Sequence, residues 1–173
     1  MPLDNSRELF YQVDDDDQVI GSVTRGEAHQ NSDIKHRSVF ILVFNEAGEL
    51  LLQKRSKNKD TFPGFWTLSA SGHVNYGQTY DEAAKRELQE ELDLELDLTT
   101  QQKIYLPEEC EFCFIYKAFL SDDRVINFDQ TEISEVQFVS VSELDEFVKG
   151  HSLTPAAKRV LQAMDLLSSR DII

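Results

Sequence analysis

From Gly72 to Leu94 the chain reads GHVNYGQTYDEAAKRELQEELDL. Thr79 followed three residues later by Glu82 is a capping box, in which each side chain satisfies an orphan backbone donor at the start of a helix. Behind it Ala84, Leu88 and Leu92 recur every four residues, the spacing of a single buried seam, so a helix is predicted over residues 80–92. At about 100° per residue, Glu87, Glu90 and Glu91 fall at roughly 0°, −60° and +40°, an arc of about 100° beside that seam. Ala83 lies on the same arc and is expected to leave room above the turn. Arg86 either orients one of the carboxylates or pairs with Glu82 four residues earlier.

Three carboxylates on one helical face repel one another unless something positive sits among them. Grouped oxygen ligands suit Mg²⁺ or Mn²⁺, hard cations that keep several waters and complete their shell from substrate phosphates. The whole chain sharpens the point, because its 173 residues carry 32 acidic against 17 basic side chains, a formal charge of −15. That balance excludes a nucleic-acid polymer as ligand, since neutralising phosphates needs a basic surface. Any phosphate handled here must meet locally placed cations.

Length and a 40% hydrophobic content fit one domain over 1–173 with a sizeable core. The longest apolar run is VFILVF (Val39 to Phe44), and MPLDNSRELF at the start has no apolar signal core, so a cytoplasmic protein that enters no membrane is expected. Cys110 and Cys113 are too few for a disulfide framework. They sit in a strand-like stretch where residues three apart face opposite ways, so they read as buried thiols and not as half a zinc site.

Outward from the quoted stretch, residues 1–30 form an amino-terminal extension. LFYQV and QVIGSV read as strands around Asp14 to Asp17, four aspartates taken as a solvated turn. Thr24 and Glu27 make a second capping box, opening a short helix through His29. SVFILVF and ELLLQKR read as strands joined by a hairpin at Asn45 to Gly48. WTLSA is a short strand before the helix, and LELDL alternates like a strand after it. EFCFIYKAFL and EVQFVSV complete the strands, while Ser142 to Asp145 and Thr154-Pro155 open two closing helices. The economical architecture is α+β, a mixed sheet packed against helices.

The glycine loop, capped helix and R-E-L-x-E-E run together resemble the Nudix box, G-x5-E-x7-R-E-U-x-E-E-x-G-U with U aliphatic. Gly72, Arg86, Glu87, Leu88, Glu90, Glu91 and Leu94 match in register. Gln78 stands where the pattern has its first glutamate; an amide keeps an acceptor oxygen but no charge. Asp93 replaces the exit glycine and can adopt the left-handed conformation needed there. The resemblance implies an α/β/α sandwich with residues 72–94 as loop, helix and loop.

A second resemblance overlies the first. His29, His36 and the stretch FPGFWTLSASGH ending at His73 are similar to type I isopentenyl-diphosphate isomerase, a member of the same superfamily. That resemblance implies a divalent metal held by His29, His36, His73, Glu109 and Glu111, a ligand set that suits manganese, zinc or iron as well as magnesium. It also places Ser71 where the isomerase has its cysteine. A hydroxyl is far less acidic than a thiol of pKa about 8.5. Isomerases typically keep only the last of the three box glutamates, whereas this chain keeps all three.

The expected activity is therefore Mg²⁺- or Mn²⁺-dependent hydrolysis of a phosphoanhydride in a nucleoside diphosphate derivative or other X-linked diphosphate. Glu87, Glu90 and Glu91 would bind the metal and Arg86 would hold them. Lys54, Arg55, Lys59 and Ser71 are candidate substrate contacts, and Glu90, Glu132 or Glu135 the general base. An isomerase or degenerate relative of one is the alternative, and a non-enzymatic diphosphate sensor a third reading. The X group and the oligomeric state are not written in the sequence.

Overall fold

The run VFILVF is apolar at every position because its strand is covered on both faces. In the computed structural model, which describes residues 5–121 and 125–168, this run lies in β3 (His36–Phe44) at the centre of a mixed sheet. Phe40, Leu42 and Phe44 enter one core with Trp66 and the closing helices, while Val39, Ile41 and Val43 enter a second core against the box helix. β4 (Glu49–Arg55) divides the same way, with Leu50 and Leu52 on the first side and Leu51 on the second.

β3 runs parallel to β8 (Glu111–Phe119), which pairs antiparallel with β7 (Thr99–Leu106). The predicted hairpin joins β3 to β4, but their ladder contains one register pair, Phe44↔Leu50. The two strands diverge beyond it. β4 pairs along its length with β9 (Ile133–Ser140), and WTLSA splits to fill the gap: β5 (Trp66–Thr67) pairs β4, and β6 (Ala70–His73) pairs β3. Ser69 lies between them, its hydroxyl donating to Leu51 O at 2.6 Å and accepting from Val43 N at 2.8 Å. One buried serine thus bridges backbones that no longer pair.

The box helix, α2 (Tyr80–Leu92), has the predicted bounds and a complete capping box of Thr79 and Glu82. It ends on Asp93 in the left-handed conformation (φ 52°, ψ 40°), whose N–H donates to Gln89 O. Ala83 is fully buried in the second core, so it packs and leaves no room above the turn. LELDL is not a strand. After the left-handed exit its leucines dip singly into the core, Leu94 fully and Leu96 and Leu98 partly, and the strand starts at Thr99.

The extension is β1 (Leu9–Val13), β2 (Val19–Thr24) and α1 (Arg25–Gln30), the helix capped by Thr24 and Glu27 as predicted. The aspartate run is only partly a solvated turn. Asp14 caps the turn, but Asp17 is buried and accepts from Arg37 Nε and Lys103 Nζ at 2.7 Å and from Tyr80 OH at 3.0 Å. Adjacent aspartates in a turn face different ways, which composition cannot show. Cys110 precedes β8 and Cys113 lies within it; both thiols are buried and free.

α3 (Leu144–Gly150) starts after a 3-10 turn, and Ser142 faces the Ser140 hydroxyl instead of capping it. α4 (Pro155–Ala163) begins with proline, with Thr154 Oγ1 accepting from Ala157 N. No helix among the described residues is long and apolar enough to cross a membrane.

Candidate functional site

Two groups of side chains gather at one cavity of about 910 Å³, which every member of the second lines except the buried His36. The first is the acidic face of α2. Arg86 does orient it: Nη1 lies 2.7 Å from Glu87 Oε1 and 3.0 Å from Glu90 Oε2, while Nη2 donates to His73 O at 2.8 Å. Gln78 Oε1 accepts from Arg86 Nε at 3.3 Å, so the amide retains the acceptor role. Glu82 is committed to its cap.

Glu91 is held from below. Its Oε2 accepts from Gln53 Nε2 at 2.7 Å and Ser71 N at 3.2 Å. Gln53 was not singled out in the sequence, although a glutamine ending the apolar run ELLL is a polar residue on a buried strand face. Burial pushes Glu91 up to about 7, against those two donors, and holds Glu87 well above the ordinary carboxylate range, with the Glu91 charge as the next cause. Burial and mutual repulsion leave these carboxylates short of positive charge, the condition a divalent cation relieves. Glu90 is exposed at the cavity edge.

The second group gathers at the seam between the extension and the sheet. α1 supplies His29, β3 supplies His36, β6 supplies His73 and β8 supplies Glu111. One ligand atom from each lies within 4.8 Å of all the others. His73 Nε2 is 3.1 Å from Glu111 Oε1 and 3.2 Å from His29 Nε2. His36 Nε2 is also 3.2 Å from Glu111 Oε1, but at an angle that leaves both its ring nitrogens without hydrogen-bond partners. Four ligands around an ion at about 2.1 Å stand roughly 3.4 Å apart, so the donor set fits one cation. Phe10 is fully buried and stacks on His73 with centroids 4.5 Å apart, a floor that no sequence signal marked.

The electrostatics of this group suit a metal. Burial lowers His29 to about 4, helped by His73, Arg25 and His36, and burial lowers His73 too, so both imidazoles are neutral near pH 7. His29 keeps one exposed edge while its Nε2 faces inward. Burial works against the Glu111 carboxylate, but His36 and His73 outweigh it and hold it well below the ordinary range.

Residues 34–164 match the NUDIX domain, which is three quarters of the chain. The chain belongs to the Nudix family. It is 36% identical over 135 residues to the Uncharacterized Nudix hydrolase PA4841 of Pseudomonas aeruginosa, covering 76% of this chain and 78% of that one. It is 34% identical over 127 residues to an isopentenyl-diphosphate Delta-isomerase of Mycolicibacterium vanbaalenii, covering 73% and 66%. The crystal structure of DR0079 from Deinococcus radiodurans superposes with a TM-score of 0.77 at 25% identity, covering 90% of this chain and 98% of that one. Relatives of both kinds therefore surround this Nudix chain.

The other sequence candidates distribute unevenly around the Nudix fold. Glu109 lines the cavity but stands outside the four-ligand cluster; its Oε2 is buried without a partner, and burial with Glu111 pushes its pKa up to about 7. Arg55 and Lys59 also line the cavity, Arg55 donating to Thr61 O at 2.9 Å and Lys59 pairing with Glu132 at 2.6 Å. Lys54 does not reach it, lying over the Trp66 ring and 3.5 Å from Glu135. Alternation explains this, because consecutive strand residues point to opposite faces.

Proposed function

We propose that this Nudix chain is a metal-dependent hydrolase that cleaves the phosphoanhydride of a nucleoside diphosphate derivative or other X-linked diphosphate. The observation that carries the reading is the intact carboxylate face of α2, with Glu87 buried and Glu91 half-buried at one wall of the cavity and Arg86 fixing Glu87 and Glu90. Mg²⁺ or Mn²⁺ bound there supplies charge neutralisation at the diphosphate and lowers the pKa of water.

The chain's own residues do the rest. Arg86 holds two carboxylates in register with the His73 carbonyl, while Gln53 and the Ser71 N–H fix Glu91. Arg55 and Lys59 line the wall where diphosphate oxygens are to be received. Exposed Glu90 takes the proton from the attacking water, with Glu132 the alternative base if Lys59 releases it. Lys54, which faces away, drops from the substrate contacts.

The assembled cluster of His29, His36, His73 and Glu111 favours a second reading, an isopentenyl-diphosphate isomerase or degenerate relative. Ser71 argues against it, since its hydroxyl stands where that chemistry uses a thiol. A panel of nucleoside and isoprenoid diphosphates, incubated with Mg²⁺ or Mn²⁺ and followed by phosphorus NMR, tests the choice. Metal-dependent phosphate or nucleoside monophosphate release is expected; no cleavage of any diphosphate rejects the hydrolase.

A further inference from the structure

Of the large apolar side chains left exposed among the described residues, only Phe62 lines the cavity. It is 38% exposed and sits in the loop between β4 and β5, which also carries Lys59. Its backbone is unusual on two counts. Its φ is 46°, in the left-handed region that a bulky side chain rarely enters. It also precedes Pro63, a position that favours extended backbone. Strain of this kind persists only where the surroundings over-determine it, and it gathers at ligand clamps.

The surroundings do over-determine it. Phe62 to Phe65 closes a turn in which Phe65 N donates to Phe62 O at 3.2 Å, with proline second and Gly64 third at φ 76°, the type II pattern. Arg55 grips this turn from both sides. Its N–H donates to Phe65 O at 2.8 Å and its carbonyl accepts from Gly64 N at 3.2 Å. Its guanidinium donates to Thr61 O through Nε at 3.1 Å and Nη2 at 2.9 Å. The side chain that lines the diphosphate wall thus also fixes the residue before Phe62. Phe65 tilts against the Phe62 ring by 50° with centroids 5.5 Å apart, and among the described residues no ring lies flat on it.

We propose that Phe62 is a specificity residue of this site, a platform on which a planar heteroaromatic X group stacks while its diphosphate reaches Arg55 and Lys59. The substrate is then a nucleoside diphosphate derivative and not an alkyl diphosphate. The proposal deepens the reading of the cavity as a diphosphate hydrolase site and rests on it. Every nucleobase has a π-face, and stacking on an aromatic side chain is worth more than the apolar area it covers. An alkyl chain gains from any apolar neighbour in proportion to area, so leucine at position 62 would suit it as well as phenylalanine. Only a flat X group needs the ring.

Calorimetry with Mg²⁺ and uncleavable methylenediphosphonates, those of adenosine, guanosine, cytidine and uridine and that of pentanol, reads the platform without turnover. In the parent the tightest nucleoside analogue should bind better than the pentyl analogue. Phe62→Leu should weaken that nucleoside analogue at least about fivefold more than the pentyl one, and Phe62→Tyr should restore it to within about twofold. Equal weakening of both, no weakening, failure of tyrosine to restore it or a parent that prefers pentyl overturns the proposal, as does a parent that binds none of them. Phe62→Gly removes the strained φ together with the ring, so it should lose the same selectivity while the thermal midpoint falls by no more than about 4 °C. A larger fall marks the ring as packing and overturns the proposal too. Cleavage of the matching natural diphosphates by the parent is followed separately. No phosphate release with Mg²⁺ or Mn²⁺ while the calorimetric selectivity holds rejects the hydrolase and leaves the platform standing; release with the selectivity absent does the reverse.

Discussion

Gly72 has no side chain because the Glu87 carboxylate occupies the space one would fill. An added Cβ would lie 2.0 Å from Glu87 Oε1. The obstacle is the end of a flexible side chain, so Gly72→Ala should fold, with the carboxylate pushed off Arg86. We expect metal-dependent turnover to drop at least about tenfold while thermal unfolding moves little. In a Glu87→Ala background the same substitution should cost almost nothing further, and that non-additivity in a double-mutant cycle is the check. Glu90→Gln and Glu91→Gln should each lower hydrolysis at least about 10²-fold, since each removes a charged ligand or base. Full activity in both would show the site to be misassigned. The spacing of Gly72 was legible in the sequence, but its reason was not, because a contact between a strand and a helix fifteen residues on is made by the fold.

At the scale of elements, α2 was readable almost residue by residue, since capping and the four-residue seam are local chemistry. The partners of Glu91 were not. Gln53 reaches it from β4 across 38 positions of sequence. The Glu91 carboxyl is raised from 4.5 to about 7 in the folded chain. A carboxyl with a raised folded pKa binds more protons folded than unfolded, so its contribution to stability falls as pH climbs from about 4.5 through about 7. The metal-free parent should therefore lose stability relative to Glu91→Gln across that window, and Mg²⁺ should restore it at pH 8. Paired denaturant titrations at pH 4.5 and 8, with and without Mg²⁺, measure this; parallel behaviour of the two proteins would rule out the buried-carboxylate account. His29, lowered to about 4, adds the opposite slope to both proteins and cancels in the comparison. Asp17 joins the β1–β2 hairpin to β3, β7 and α2 through Arg37, Lys103 and Tyr80. Asp17→Ala leaves those groups uncompensated and should cost about 3 kcal/mol in urea unfolding. A loss within about 0.5 kcal/mol would mean the turn is solvated after all.

Across the whole molecule, one cavity brings together the carboxylate helix and the histidine cluster, and the chain's two resemblances correspond to these two groups. The mixed sheet between helices follows from strand periodicity and caps that the sequence displays. What was hidden is the divergence of β3 and β4 and the filling of their gap by two short strands, because pairing partners depend on distant segments. The convergence of His29, His36, His73 and Glu111 was legible only through the isomerase resemblance; nothing in their separate positions places them at one point. We propose that this assembly hydrolyses a diphosphate and does not isomerise an alkene. Incubation with Mg²⁺ in heavy water, in one tube with isopentenyl diphosphate and a nucleoside diphosphate derivative, separates the two outcomes. We predict nucleoside monophosphate or phosphate release from at least one such derivative across the panel, with no more than trace deuterium in dimethylallyl diphosphate; brisk isomerisation by the unmodified Ser71 protein, with every phosphoanhydride intact, would contradict it.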